Sequence, residues 1–264
     1  MLSRSWRFRP RRYTYRCTPR CFCCRAPGYQ RLPQPDLRVS AGAEAVHREL
    51  PDPEVEQDIV SGSPAPALIE RSAEASLIVV GHRGTGGFPR LPLGSVSLQV
   101  ATHSHCPVVV VRPHGSAEPG VNPVVVDVDD MRQHVMEIAL HAAAIRDASL
   151  EVLHGSTRPD LLRTGPTGPL LVGHEKRPSA AKDLLEERLA PYRSRCPDVD
   201  MRTRVERGRP AGLLAASSRD AALLVVGTHG RTGLRRPMLG SVSGEVLHTA
   251  ACPVVVVPPP EAEE

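Results

Sequence analysis

"VVGTHGRTGLRRPMLGS" runs from Val225 to Ser241, and "VVGHRGTGGFPRLPLGS" runs from Val79 to Ser95. Each is followed by a helical stretch and then by "CPVVVV", at 106–111 and again at 252–257. The offset is 146 residues, and 18 of the 33 positions in 79–111 and 225–257 are identical. Self-similarity at a fixed offset marks a repeated structural unit. Within each copy a continuous apolar run, then a glycine-rich loop, then a helix and a valine run follow in turn. Continuous apolar runs are the mark of parallel strands covered on both faces.

Outward from the second copy, strand and helix patterns alternate. Strands are expected at Val124–Val128, Ser149–His154, Asp200–Gly208, Ala222–Gly227 and Pro253–Val257. Helices are expected at Met131–Asp147, Ser179–Arg195, Pro210–Ala221 and from Ser241 to Ala250. That order predicts an α/β fold, an open five-stranded parallel sheet with helices on both faces. The first copy reads as a partial one. Glu54–Val60 alternates as a strand does, Pro64–Ala75 and Ser95–Ser104 read as helices, and Ser76–Gly81 and Pro107–Val111 as strands. The expected organisation is an extension at 1–48, a partial unit at 52–112, a linker at 113–123, a complete unit at 124–258 and a tail at 259–264.

Residues 1–48 are expected to form no folded element. The first 49 residues hold 11 Arg, no Lys and three acids, Asp36, Glu44 and Glu49. Composition of this kind reads as a disordered or spurious extension, a transit peptide or, on Cys17, Cys21, Cys23 and Cys24, a metal site. The C-x3-C-x-C-C spacing lacks the second ligand pair that zinc modules use. The net charge of +4 comes from this segment, and aromatic residues are 3% of the chain. Neither feature points to a nucleic-acid partner. No stretch is apolar for long enough to span a membrane, and no apolar region follows the basic start as in a secretory leader. A cytoplasmic protein with free thiols is expected.

The loop carries the chemistry. Both copies read G-x2-G-x9-G-S: Gly81, Gly84, Gly94, Ser95, and Gly227, Gly230, Gly240, Ser241. Glycines can take positive φ and let backbone N–H groups approach an anion. The terminal Gly-Ser opens a helix, whose free N–H groups and dipole favour phosphate, and whose Ser could act as the cap. Turn-making alone is the rival reading of the glycines. The loop is neither a Walker A sequence nor the dinucleotide G-x-G-x-x-G. His103, His105, His141, His154, His229 and His248 form no metal-ligand spacing, and Cys106 and Cys252 read as small buried residues. No nucleophile elbow or triad order is present.

With its flanks, this loop resembles that of the universal stress protein family, over residues 121–258 and, for its C-terminal half, over about 52–112. The tandem arrangement is similar to that of double-domain bacterial members. The resemblance implies the adenine nucleotide α-hydrolase-like fold, and ATP binding in the branch that keeps the loop. By matching positions it implies that Asp129 meets the nucleoside, with Asp127 beside it on the same strand end and in the same binding site, and that Val226 borders the adenine. Gly227, His229 and Gly230 would lie along ribose and phosphates, and Gly240, Ser241 and Val242 would hold the phosphates. Arg231, Arg235 and Arg236 either screen phosphate charge or are solvated. Gly81, Gly84, Gly94 and Ser95 would form a degenerate second site, without a partner for Asp129.

The sequence departs from the family at Asp127-Val128-Asp129-Asp130-Met131, where a G-x-D-G-S pattern is usual. Carboxylates repel a triphosphate unless a cation such as Mg²⁺ intervenes. The functional expectation is an ATP-binding stress-response module, with or without Mg²⁺, regulatory rather than catalytic, although slow ATP hydrolysis is compatible with it. The alternative is a protein-interaction scaffold with a degraded site. Self-association is expected through Pro107–Val111 and Pro253–Val257, within one chain or as a homodimer.

Overall fold

Valine-rich strands set the architecture of the computed structural model, which describes residues 37–50, 52–84, 92–113, 120–127, 132–156, 178–228 and 239–259. Contacts divide the chain into two units, Met1–Ser63 and Pro64–Glu264. The division by contacts falls at Ser63.

In the first unit α1 spans Leu37–Glu49. This corrects the expectation that nothing before residue 48 is ordered. Ala41, Ala43, Glu44 and Ala45 are strong helix formers, and the average over the Arg- and Pro-rich residues ahead of them concealed the run. The helix ends 146 residues ahead of Arg195, where the corresponding helix of the second repeat ends. Basic His47 and Arg48 occupy the last turn, where they suit the helix dipole. Glu54–Val60 is not the expected strand, and only Val60 makes an isolated bridge. A strand exists by its ladder, and the first repeat has no strand beside this segment among the described residues. The four N-terminal cysteines lie outside the described residues.

The second unit holds one seven-stranded sheet. Its elements run α2 (Pro64–Arg71), β1 (Ile78–Gly81), α3 (Ser95–His103), β2 (Val108–Val111), β3 (Val124–Asp127), α4 (Gln133–Ala144), β4 (Leu150–Ser156), α5 (Pro178–Arg195), β5 (Met201–Arg207), α6 (Pro210–Ser217), β6 (Leu223–Gly227), α7 (Ser241–Thr249) and β7 (Val254–Val257). The strand order is β1-β2-β7-β6-β3-β4-β5. From β7 to β5 every neighbour is parallel, as the strand–helix alternation predicts. β1 and β2 are parallel to each other. They join the rest through β2 and β7, which run antiparallel with Val108↔Val256, Val109↔Val255 and Val110↔Val254. Each of these two strands has its other side taken, β2 by β1 and β7 by β6.

Two cores lie on the two faces. One packs Ile78, Val108, Val110, Val125, Leu224, Val226, Val254 and Val256 under α2, α3, α6 and α7. It extends across both repeats. The other packs Val124, Val126, Leu223, Val225, Val255 and Val257 under α4 and α5. Its buried residues all come from the second repeat, with Val109 of the first packed against them. β7 is buried on both faces, whereas β2 alternates and ends in an exposed Val111. Gly155, in β4, is where the sheet meets the start of α6. A Cβ there would stand 2.9 Å from Pro210 Cα and 2.9 Å from Leu213 Cδ1.

Paired serine latches repeat with the same offset. Ser72 Oγ donates to the Ile69 carbonyl at 2.5 Å and accepts the His105 N–H at 2.9 Å. Ser218 Oγ donates to the Ala215 carbonyl at 2.6 Å and accepts the Ala251 N–H at 2.8 Å. Each latch ties the end of one helix to the turn before the Cys-Pro strand. One tie breaks the symmetry: Arg112, just after β2, donates to the Leu247 carbonyl near the end of α7. Burial lowers the Arg112 pKa from its ordinary value. Its counterpart at 258 is Pro, which has no side-chain donor. No helix among the described residues is long and apolar enough to cross a membrane.

Candidate functional site

Strand order changes direction at β3: β4 and β5 continue to one side, β6 and β7 to the other. Open α/β sheets bind ligands in the crevice outside the strand carboxyl ends at such a point. β3 and β6 pair with Val124↔Leu223, Val125↔Leu224 and Val126↔Val225. One residue further along stand Asp127 and Val226, at the carboxyl ends of the two strands. Asp127 is half-buried. Val226 is buried in the core under α6 and α7.

The glycine loop leaves β6 and returns to α7. Its neck is closed by the Gly240 N–H, which donates to the Thr228 carbonyl at 2.6 Å. Buried Ser243, in the first turn of α7, donates from Oγ toward the Thr228 carbonyl at 3.2 Å and the Gly240 carbonyl at 3.1 Å. The structure thereby brings Gly227, Gly240, Ser241 and Val242 to one end of the sheet, beside Asp127. Asp129, His229 and Gly230, with Arg231, Arg235 and Arg236, lie outside the described residues.

The first repeat builds the same neck. The Gly94 N–H donates to the His82 carbonyl at 2.7 Å, and buried Ser97 donates to the Gly81 carbonyl at 2.6 Å. Gly81, Gly94 and Ser95 thus flank this neck as Gly227, Gly240 and Ser241 flank theirs, while Gly230, the counterpart of Gly84, lies outside the described residues. Among the described residues no strand equivalent to β3 stands beside β1, which ends the sheet's strand order.

Two details differ from the expectation. Ser95 and Ser241 do not cap their helices. The N-cap is the glycine, Gly94 at φ −77° and Gly240 at φ −60°, and no side chain makes a capping bond in either helix. The first helical bonds run from Leu98 to Gly94 at 3.0 Å and from Gly244 to Gly240 at 2.9 Å. Among the described residues no side chain caps the first-turn N–H groups, which is the arrangement an anion needs. Nor do Gly81, Gly84 and Gly94 use positive φ; among the described glycines only Gly62, Gly120 and Gly208 do. What Gly94 supplies is room: a Cβ there would lie 3.3 Å from the His82 carbonyl oxygen and 3.5 Å from Arg83 Cα.

Sequence reasoning missed Thr228 and Ser243, which hold the neck together. The available signal was the S-V-S triplet, identical at 95–97 and 241–243. Behind α7 the Cys252 thiol is buried, and burial pushes its pKa up to about 12. Cys106 is buried as well, and both are free thiols.

The profile of the universal stress protein family matches residues 26–112 and 124–258. A universal stress protein of Mycolicibacterium smegmatis is 38% identical over 210 residues, which are 78% of this chain and 69% of that protein. One from Mycobacterium tuberculosis is 35% identical over 224 residues, 83% of this chain and 73% of the relative. A solved universal stress protein from Archaeoglobus fulgidus shares the fold, with a TM-score of 0.56 at 22% identity over 87% of this chain and 82% of that one. With both repeats matched and relatives of this similarity along most of its length, the chain belongs to the universal stress protein family.

Proposed function

We propose that the second repeat binds ATP in the crevice between β3 and β6, and that the chain acts in the cytoplasm as a nucleotide-controlled regulatory module of the stress response. The observation that carries this reading is the start of α7. It is capped by a glycine, carries no side-chain cap, and is held by the Gly240–Thr228 neck bond at the point where strand order reverses. Backbone N–H groups at such a helix start suit the phosphate chain.

A nucleoside triphosphate with its cation would suit carboxylates placed in this part of the sequence. Asp127 stands at the end of β3, and Asp129 and Asp130 follow it in sequence. These carboxylates would hold Mg²⁺, which when bound neutralises phosphate charge. Asp127 would orient the nucleoside side, and the Gly240–Val242 backbone the phosphates. Ser243 and Thr228 would keep the neck closed without touching the ligand.

Calorimetric titration of the full chain with ATP, with and without Mg²⁺, tests the reading against a Gly240→Val variant. Saturable binding that the variant loses while it stays folded is the expected result. A folded wild-type chain that binds no ATP under either condition would sink it and favour the interaction scaffold.

A further inference from the structure

The two ends of α7 are held by different repeats. Its start is tied within the second repeat, by the Gly240–Thr228 neck bond. The helix then runs back over the sheet to the beginning of β7, where Val254 stands opposite Val110 of β2. The end of α7 therefore comes down beside the end of β2, at the rim where the first glycine loop opens. The bond made there comes from the first repeat: Arg112, just past β2, donates from Nη2 to the carbonyl of buried Leu247.

Leu247 takes this outside donor because of how the helix stops. A helical carbonyl accepts from the N–H four residues on, which here is that of Ala251. Ala250 is already extended, at φ −60° and ψ 143°, and the Ala251 N–H is directed to Ser218 Oγ at 2.8 Å. Last-turn carbonyls left in this way need another partner, and a cation suits the negative end of the helix dipole. The placement has a cost, since Arg112 Nε is buried without a partner among the described residues. A hydrogen bond from a charged donor is of the strong kind and offsets it.

The symmetry of the repeats shows that this bond is an addition. Up to the strand ends they match: the His82 N–H donates to the Val111 carbonyl at 2.7 Å, and the Thr228 N–H to the Val257 carbonyl at 2.9 Å. One residue further they part. The carbonyl equivalent to that of Leu247 belongs to Ala101, and the residue placed to reach it is Pro258, which has no side-chain donor. The first repeat thus reaches the helix of the second, and the second does not reach back in the same way.

We propose that Arg112 is a positioning residue for the nucleotide site of the second repeat, holding the far end of α7 so that its first turn stays aligned with the Gly240–Thr228 neck. This rests on ATP binding by the second repeat. α7 has nine residues, a stiff rod of roughly 13 Å, so a shift at Leu247 is carried to Ser241. The first repeat thereby contributes to the site of the second without touching the ligand.

The test compares the full chain with Arg112→Met, which keeps an apolar stem and removes every donor, and with Arg112→Lys, which returns a charged donor. Two quantities are measured: calorimetric affinity for ATP with Mg²⁺, and hydrogen exchange at the Gly240 and Gly244 amides, which needs no ligand. Arg112→Met is expected to weaken ATP binding at least fivefold and to speed exchange at both amides at least threefold. Arg112→Lys is expected to recover most of both, while β4 and β5 exchange as in wild type. Unchanged ATP affinity in Arg112→Met, or exchange quickened only at Ala250 and Ala251, overturns the proposal, as does a lysine variant no better than the methionine one. If the wild-type chain binds no ATP, the nucleotide reading falls by itself, and the two glycine amides still decide whether Arg112 positions α7: faster exchange in Arg112→Met supports it and unchanged exchange overturns it. Should Arg112→Met not fold, Arg112→Gln is measured in its place against the same outcomes.

Discussion

Val109 and Val255 face each other across the antiparallel junction of β2 and β7, and they are the same residue of the two repeats, 146 positions apart. The pairs on either side, Val108 with Val256 and Val110 with Val254, are arranged about that point. The junction is therefore a pseudo-twofold centre inside one chain. Strand and loop equivalents occupy symmetric places around it, but helix cover does not.

That asymmetry has a measurable energetic consequence. Val225→Ala removes two buried carbons from a filled layer and is expected to cost about 2 kcal/mol. Val79→Ala, at the symmetric but exposed place, is expected to cost less than about 0.5 kcal/mol. Urea melts of the two variants check the difference, and equal losses would mean that the β1 face is covered in solution.

Ser243→Ala removes the hydroxyl that reaches two carbonyls at the loop neck. Each carbonyl keeps a backbone N–H partner, Gly240 for Thr228 and Gly244 for Gly240. The stability loss is thus expected to stay near about 1 kcal/mol. On the proposed function, ATP affinity should fall with it, because the neck sets where the N–H groups point. Ser97→Ala should leave ATP affinity untouched. Thermal melts alongside nucleotide titration separate the two effects.

Gly155→Ala tests the contact between β4 and α6. The added methyl meets backbone at Pro210 Cα, which cannot rotate away as a side chain could. A loss of about 1–3 kcal/mol is expected, as for overpacking of a filled core. A neutral melt would show that α6 is free to shift.

Burial holds the Cys252 thiol protonated up to about pH 12. Thiolate is the reactive form, so at pH 8 site-resolved alkylation should find Cys252 slower than the half-buried Cys196. The folded pKa is raised above the unfolded one, so the protonated thiol's contribution is complete below the unfolded pKa, about 8.5. It is lost as the pH rises toward 12. Stability measured on Cys252→Ala and wild type should converge over that alkaline range.

Much of the second unit was readable because its signals are local. Unbroken runs such as Val124–Val126 and Leu223–Val226 can only be strands covered on both faces, and each structural strand lies within a residue or two of the pattern. The glycine loop was legible because it occurs twice. What failed depended on partners. Glu54–Val60 alternates as β5 does, but β5 has β4 beside it and this segment has no such strand among the described residues. Ser95 and Ser241 have the chemistry of caps, yet the preceding glycine takes the cap position, which only backbone geometry decides. Thr228 acts through its carbonyl, a group every residue has, so its identity carried no signal. Helix α1 was hidden by the composition of its neighbours.

The antiparallel junction also fixes where the two glycine loops open. β1 runs with β2 and β6 runs with β7, while β2 and β7 run in opposite directions. The necks at His82–Gly94 and Thr228–Gly240 therefore emerge at opposite rims of the sheet. No single small ligand can span them, and an occupant of one leaves the entrance to the other unobstructed. The chain is two-headed: between the loops stand the antiparallel valine ladder, the apolar core that both repeats share and the Arg112–Leu247 tie.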